Sequence, residues 1–122
     1  MKKRTLVIGA SENPARYAYK AIRALLQKGH EVVALGKQKG KVEGVEIQTE
    51  VLSSLDVDTV TLYINPQHQK HYTAFLIELN PSRVIFNPGT ENPDLQHRLE
   101  DSGIETLNAC TLVLLATDQY ES

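Results

Sequence analysis

The chain of 122 residues has one cysteine, Cys110, no tryptophan and only two phenylalanines. A lone thiol cannot close an internal disulfide, which excludes a disulfide-stapled scaffold and makes a reducing cytoplasm the expected setting. It also leaves little material for a Cys/His metal centre. No apolar run approaches the roughly 20 residues of a membrane span. The basic start Lys2-Lys3-Arg4 leads into an apolar run that ends at Gly9 and Glu12, too short for a signal peptide, so the chain is expected to open directly on its first strand. Neither sign of charge dominates. Thirteen Lys+Arg against fifteen Asp+Glu give a formal charge of -2, which offers no global attraction to nucleic acid or to an anionic membrane. Any anion has to be held locally. Tandem repeats and low-complexity tracts are missing as well.

What remains is ordinary globular material, 41% hydrophobic and 23% charged, in a length that suits one domain over residues 1–122. Leu6-Val7-Ile8 is a continuous apolar run, the pattern of a parallel strand covered on both faces. Asn13-Pro14 then reads as an N-cap and first helical residue, opening a helix that ends near Lys28 at Gly29. Glu31 to Leu35 is the second strand, Gly36 to Lys41 a loop, Val45 to Ile47 a short edge strand, and Asp58 to Ile64 another central strand. The connection between the last two is too short for a long helix. Asn65-Pro66 repeats the cap signal and opens a helix to about Leu79; a strand follows from Ser82 to Phe86. Asn92-Pro93 starts a third helix ending near Ser102-Gly103, ahead of a strand from Ile104 to Leu107 and a last apolar helix from Thr111 to Thr117. This alternation specifies an α/β, Rossmann-like, doubly wound fold: a mainly parallel sheet of five to six strands with helices on both faces.

Open α/β sheets bind ligands beyond the carboxyl ends of their strands, where strand order reverses. That points to the loops Gly9 to Asn13, Gly36 to Lys41, Ile64 to Pro66, Asn87 to Asn92 and Asn108 to Cys110. The first combines small residues with a helix start, where free N–H groups and the positive dipole end hold phosphate. Yet the dinucleotide fingerprint G-x-G-x-x-G has Ser11 and Pro14 in place of its later glycines. After the second strand, where NAD-binding units offer an acid to the ribose, stands Gly36-Lys37. A lysine there favours a ribose bearing a further phosphate, as in NADP or coenzyme A, or else simply solvates the loop.

Gly9-Ala10-Ser11-Glu12-Asn13-Pro14 with Arg16 and Tyr19, the Asn65-Pro66 strand end, the Asn87-Pro88-Gly89 loop and the late Cys110 together resemble the CoA-binding domain family, over about Thr5 to Leu115. This family is similar to the nucleotide-binding domain of the succinyl-CoA synthetase alpha subunit. The resemblance implies coenzyme A or an acyl-CoA held by Gly9, Ala10, Ser11, Asn13 and Arg16, by Gly36 and Lys37, by Ile64, Asn65 and Pro66, and by Asn87, Pro88 and Gly89. It implies binding of a small nucleotide ligand and stops short of a reaction. Two alternatives stand beside it: an NADP-dependent reductase-type enzyme or subunit, and an interaction module with a vestigial nucleotide cleft. Whether a second copy or a partner enzyme joins the chain is left open.

No residue is assigned a catalytic role. Cys110 could act as a nucleophile or pair with the ligand thiol, against the plainer reading of a small buried residue opening the final helix. His68 and His71 lie three apart on one predicted helix, and with Gln67, Gln69 and Lys70 as neighbours and no third ligand in view they read as solvated rather than metal-binding. Tyr17 and Tyr19 could stack on adenine or pack on the adjoining strand, and Glu91 reads as a helix N-terminal charge. A Gly9→Val change is expected to abolish binding while sparing the fold.

Overall fold

The computed structural model describes residues 4–50 and 55–121. The apolar runs form β1 (Arg4–Ile8), β2 (Glu31–Leu35), β5 (Thr59–Leu62) and β6 (Arg83–Phe86), and β7 (Glu105–Asn108) completes a row of parallel strands. Two short strands, β3 (Gly40–Val42) and β4 (Val45–Gln48), make a hairpin; β4 runs parallel to β2, and β3 pairs back on β4 antiparallel. The sheet order is β3-β4-β2-β1-β5-β6-β7. Without β3 this is the doubly wound order 3-2-1-4-5-6, and the chain reverses direction across the sheet between β1 and β5.

The sheet therefore has seven strands where five to six are expected, and β3, not β4, is its edge. The added strand takes in the last two residues of the expected Gly36–Lys41 loop together with Val42. Glu43 and Gly44, both with positive φ (48° and 87°), close a two-residue turn that brings Val42 opposite Val45. The short connection between β4 and β5 lies partly outside the described residues.

Alternate strand positions point to two layers, as the period of two requires. Leu6, Ile8, Val60, Leu62, Val84 and Phe86 pack under α3 (Thr73–Leu79) and α4 (Pro93–Asp101). Val7, Ala34 and Ile85 pack with Ala18, Ile22 and Leu25 of α1 (Tyr17–Gln27) and Leu115 of α5 (Thr111–Ala116). A central strand buried on both sides has no solvent face to mark with polar residues, hence the apolar runs of β1 and β6, while β5 alternates Thr59 and Thr61 with Val60 and Leu62 and buries all four.

The expected helix start at Asn13-Pro14 is displaced. Asn13 accepts the N–H of Ala15 at 3.0 Å through its side chain and that of Arg16 at 3.0 Å through its carbonyl, so Asn13 to Arg16 is a turn with proline in its favoured second place. The helix begins only at Tyr17, after an extended Arg16. The other two Asn-Pro pairs do cap: Asn65 accepts from Gln67 N at 3.0 Å and Asn92 from Leu95 N at 3.2 Å. After Asn65 the single expected helix is three pieces: α2 (Pro66–Gln69), a 3-10 turn over Lys70–Tyr72, and α3. No helix among the described residues is long and apolar enough to cross a membrane.

Candidate functional site

The loops after β1 and β5 meet at the reversal point, and Gly9 is where they touch. It has φ +94°, and a Cβ there would lie 2.7 Å from the carbonyl oxygen of Tyr63. Its N–H and that of Ala10 both bond the carbonyl of Leu35, at 2.9 and 3.0 Å, tying the first loop to the end of β2 as well. Gly36 has the same role at the end of β2, since a side chain there would overlap the carbonyl of Ala10. Both glycines thus serve close backbone approach within the chain. A Gly9→Val change strains the fold itself, which overturns the expectation that the fold would be spared.

Beyond Ala10 the chain leaves donors unspent. Among the described residues the N–H groups of Ser11 and Glu12 have no acceptor, and α1 starts without a side-chain cap or an acid in its first turn. Ser11 Oγ turns instead to the N–H of Asn13 at 3.0 Å. Arg16, Lys37, Lys39 and Lys41 are exposed, and none has an ion-pair partner among the described residues. Free backbone N–H groups at a helix start, with unpaired cations on the flanking loops, are what a diphosphate requires.

Under the loops after β5 and β6 lies a buried polar network that the sequence does not announce. Asn87, 2% exposed, donates to the Thr61 hydroxyl at 2.6 Å and to the Leu62 carbonyl at 2.9 Å, and accepts the N–H of Thr111 at 2.8 Å. Its side chain holds the ends of β5 and β6 to the start of α5. Gln69, fully buried, donates to the carbonyls of Ile64 and Thr90 at 3.0 and 2.7 Å and accepts from Asn92 at 3.1 Å, clamping the loops after β5 and β6 together. A glutamine among Gln67, His68 and Lys70 has the sequence context of a solvated residue; only the break of the helix after it turns it inward. His68 and His71 are exposed.

Pro88 and Gly89 are exposed, Gly89 has φ +92°, and nothing lies within 4 Å of where its Cβ would be. Glu91 folds back to accept the Gly89 N–H at 2.8 Å. Ile64 and Pro66 are half-buried beside an exposed Asn65. Tyr19 packs against the α1 layer, while Tyr17 is exposed with the Lys20 ammonium 5.3 Å from its ring. Cys110 is half-buried, not enclosed, and stands before α5 without capping it through its side chain. Near it the Tyr63 hydroxyl is enclosed with no hydrogen-bond partner. Burial pushes that phenol up to about 12, with the nearby Thr111 and Thr61 hydroxyls pulling the other way.

The fold is of the Rossmann-like class, a doubly wound sheet whose unspent donors collect at the reversal point. Residues 3–116 match a family model described as a CoA binding domain, and the chain belongs to that family. Among solved structures it is similar to a crystal structure of an uncharacterized protein, 46% identical with a TM-score of 0.94 over 98% of both chains. It is also similar to a conserved hypothetical protein from Pyrococcus furiosus, 30% identical with a TM-score of 0.78, covering 93% of this chain and 98% of that one. An acetyl-coenzyme A synthetase from Ca. Korarchaeum cryptofilum, solved with phosphate and ADP, shares the fold at 17% identity and a TM-score of 0.73, over 88% of this chain and 25% of that one. No curated protein matches.

Proposed function

We propose that the chain is a single domain that holds coenzyme A, or an acyl-CoA, at the carboxyl ends of its parallel strands and performs no chemistry on it. The observation that carries this reading is the set of unspent donors at the β1/β5 reversal, the N–H groups of Ser11 and Glu12 with the unpaired Arg16, in a chain of this family. In this reading the diphosphate lies on Gly9 to Asn13 and the start of α1, and the phosphate on the adenosine ribose lies by Lys37 and Lys39. The pantetheine arm runs along Ile64 to Pro66 toward Asn87 to Gly89. Gly9 and Gly36 contribute by letting the loops close on each other, and Asn87 and Gln69 by holding them there.

Calorimetry with coenzyme A, dephospho-coenzyme A and NADP tests it. Coenzyme A should bind roughly ten-fold or more tighter than dephospho-coenzyme A, the effect of one charge-assisted contact. Equal affinities would remove the lysine assignment. Micromolar binding of NADP would favour a reductase instead.

A further inference from the structure

One carboxylate crosses between the first two loops of the cleft. Glu12 leaves the first loop and reaches over to the edge strand, where its Oε2 accepts the N–H of Lys41 at 2.9 Å. Its arm occupies the place of a missing side chain: a Cβ on Gly40 would lie 2.6 Å from Glu12 Oε1 and against Cγ and Cδ. The carboxylate thus bridges the loops after β1 and β2, on the same segment as the unpaired Lys37, Lys39 and Lys41. It is exposed and held by a single backbone donor, a contact weak enough to be exchanged. A phosphate oxygen asks for the same kind of donor and carries the same sign of charge. We propose that Glu12 is the specificity-determining residue of this cleft, a displaceable carboxylate that occupies the position of the ribose-borne phosphate and lowers the affinity for ligands that carry one. This rests on the reading that the cleft takes coenzyme A.

The test is calorimetry on the full chain, comparing wild type with Glu12→Gln, Glu12→Ala and Gly40→Ala, each with coenzyme A and dephospho-coenzyme A. Removing a like charge from solvent-exposed surroundings a few ångströms from the phosphate should tighten coenzyme A about five-fold in both Glu12 variants. Dephospho-coenzyme A should tighten by a clearly smaller factor, because it keeps the diphosphate but lacks the phosphate whose place the carboxylate takes. Gly40→Ala evicts the arm but keeps its charge, so it should tighten coenzyme A by a smaller factor. Melting curves should coincide, since Glu12 is exposed. If the wild type binds coenzyme A and the Glu12 variants bind it equally or more weakly, this inference falls and the coenzyme A reading stands. Failure of wild type and variants alike removes both. Binding by the Glu12 variants alone would show the competition in its strongest form.

Discussion

At the amino ends of the strands Arg4 pairs with Glu31 at 3.0 Å and Lys28 with Asp118 at 3.2 Å, and His30 Nε2 lies 3.6 Å from the Glu121 carboxylate. Arg83 stacks over Tyr120, 4.4 Å from its ring, and bonds the Tyr120 carbonyl and the Thr59 hydroxyl. At the carboxyl ends of the same strands Arg16, Lys37, Lys39 and Lys41 are unpaired among the described residues, and the loop N–H groups of Ser11 and Glu12 are free. Exposed pairs stabilise by little, so the closed end gains only modestly from its ion pairs. The difference lies in what is left over. Cations are paired at the amino ends, whereas those named at the carboxyl ends stand unpaired among the described residues, beside loops that buried hydrogen bonds of Asn87 and Gln69 hold in place.

The largest blow to this contrast comes from Gly9→Val. Valine at φ +94° is strained, and its Cβ would meet the Tyr63 carbonyl, so the loops after β1 and β5 must part. Adding overpacking to backbone strain gives about 4 kcal/mol of lost stability. Chemical denaturation should show a large drop in midpoint; a midpoint like wild type would mean the two loops do not depend on each other.

Asn87→Ala comes next. It strips partners from the Thr61 hydroxyl, the Leu62 carbonyl and the Thr111 N–H in one step, about 3 kcal/mol for groups left buried. Ligand affinity should fall with stability, because this side chain sets the loops. Retained affinity in a destabilised variant would separate the network from the site.

These two residues also mark how far sequence reasoning reaches. The strands β1, β2, β5 and β6, the Asn-Pro caps at Asn65 and Asn92 and the doubly wound fold were legible, because strand and helix alternation and proline-led helix starts leave local signatures. Gly40–Val42 was not legible as a strand. A glycine and a lysine next to a Glu43-Gly44 turn carry no β signal, and only pairing with β4 makes the strand. Gly9 was expected to make room for a phosphate; the close approach it permits in the structure is that of the Tyr63 carbonyl, which sequence cannot show. Gln69 and the inward turn of Asn87 were beyond reach, because a polar residue is identified as buried only by the partners that tertiary structure brings to it.

Two tyrosines then let the same substitution be made at both ends. Tyr120 is buried at the closed end, its hydroxyl 2.5 Å from that of Thr5, a residue with no exposure at all. Tyr120→Phe leaves the Thr5 hydroxyl without that partner and should cost about 1–2 kcal/mol. The Arg83 bond to the Tyr120 carbonyl is a backbone contact and survives. Coenzyme A affinity should not move, as the change lies at the far end of the sheet. A joint loss of affinity and stability would mean that the two ends communicate through the strands.

Tyr63→Phe is the smallest change at neutral pH and the most pointed. The hydroxyl it removes has no partner, so stability should stay within about 0.5 kcal/mol of wild type or rise slightly, the reverse of Tyr120→Phe. Alkaline pH separates the variants further. Burial holds the folded Tyr63 phenol up to about 12, against 10.0 for the unfolded group. Below pH 10 both states keep the proton and the contribution of this group is fully present. Between 10 and 12 the unfolded chain loses its proton while the folded chain holds on, so stability falls as pH rises, by up to about 2–3 kcal/mol for this residue. Tyr120 is also raised by burial and adds to the fall in wild type and variant alike. Denaturation midpoints followed from pH 8 to 12 should therefore decline less steeply in Tyr63→Phe than in wild type. Parallel declines would place the Tyr63 hydroxyl in contact with solvent, and the floor of the site would then be open where the structure closes it.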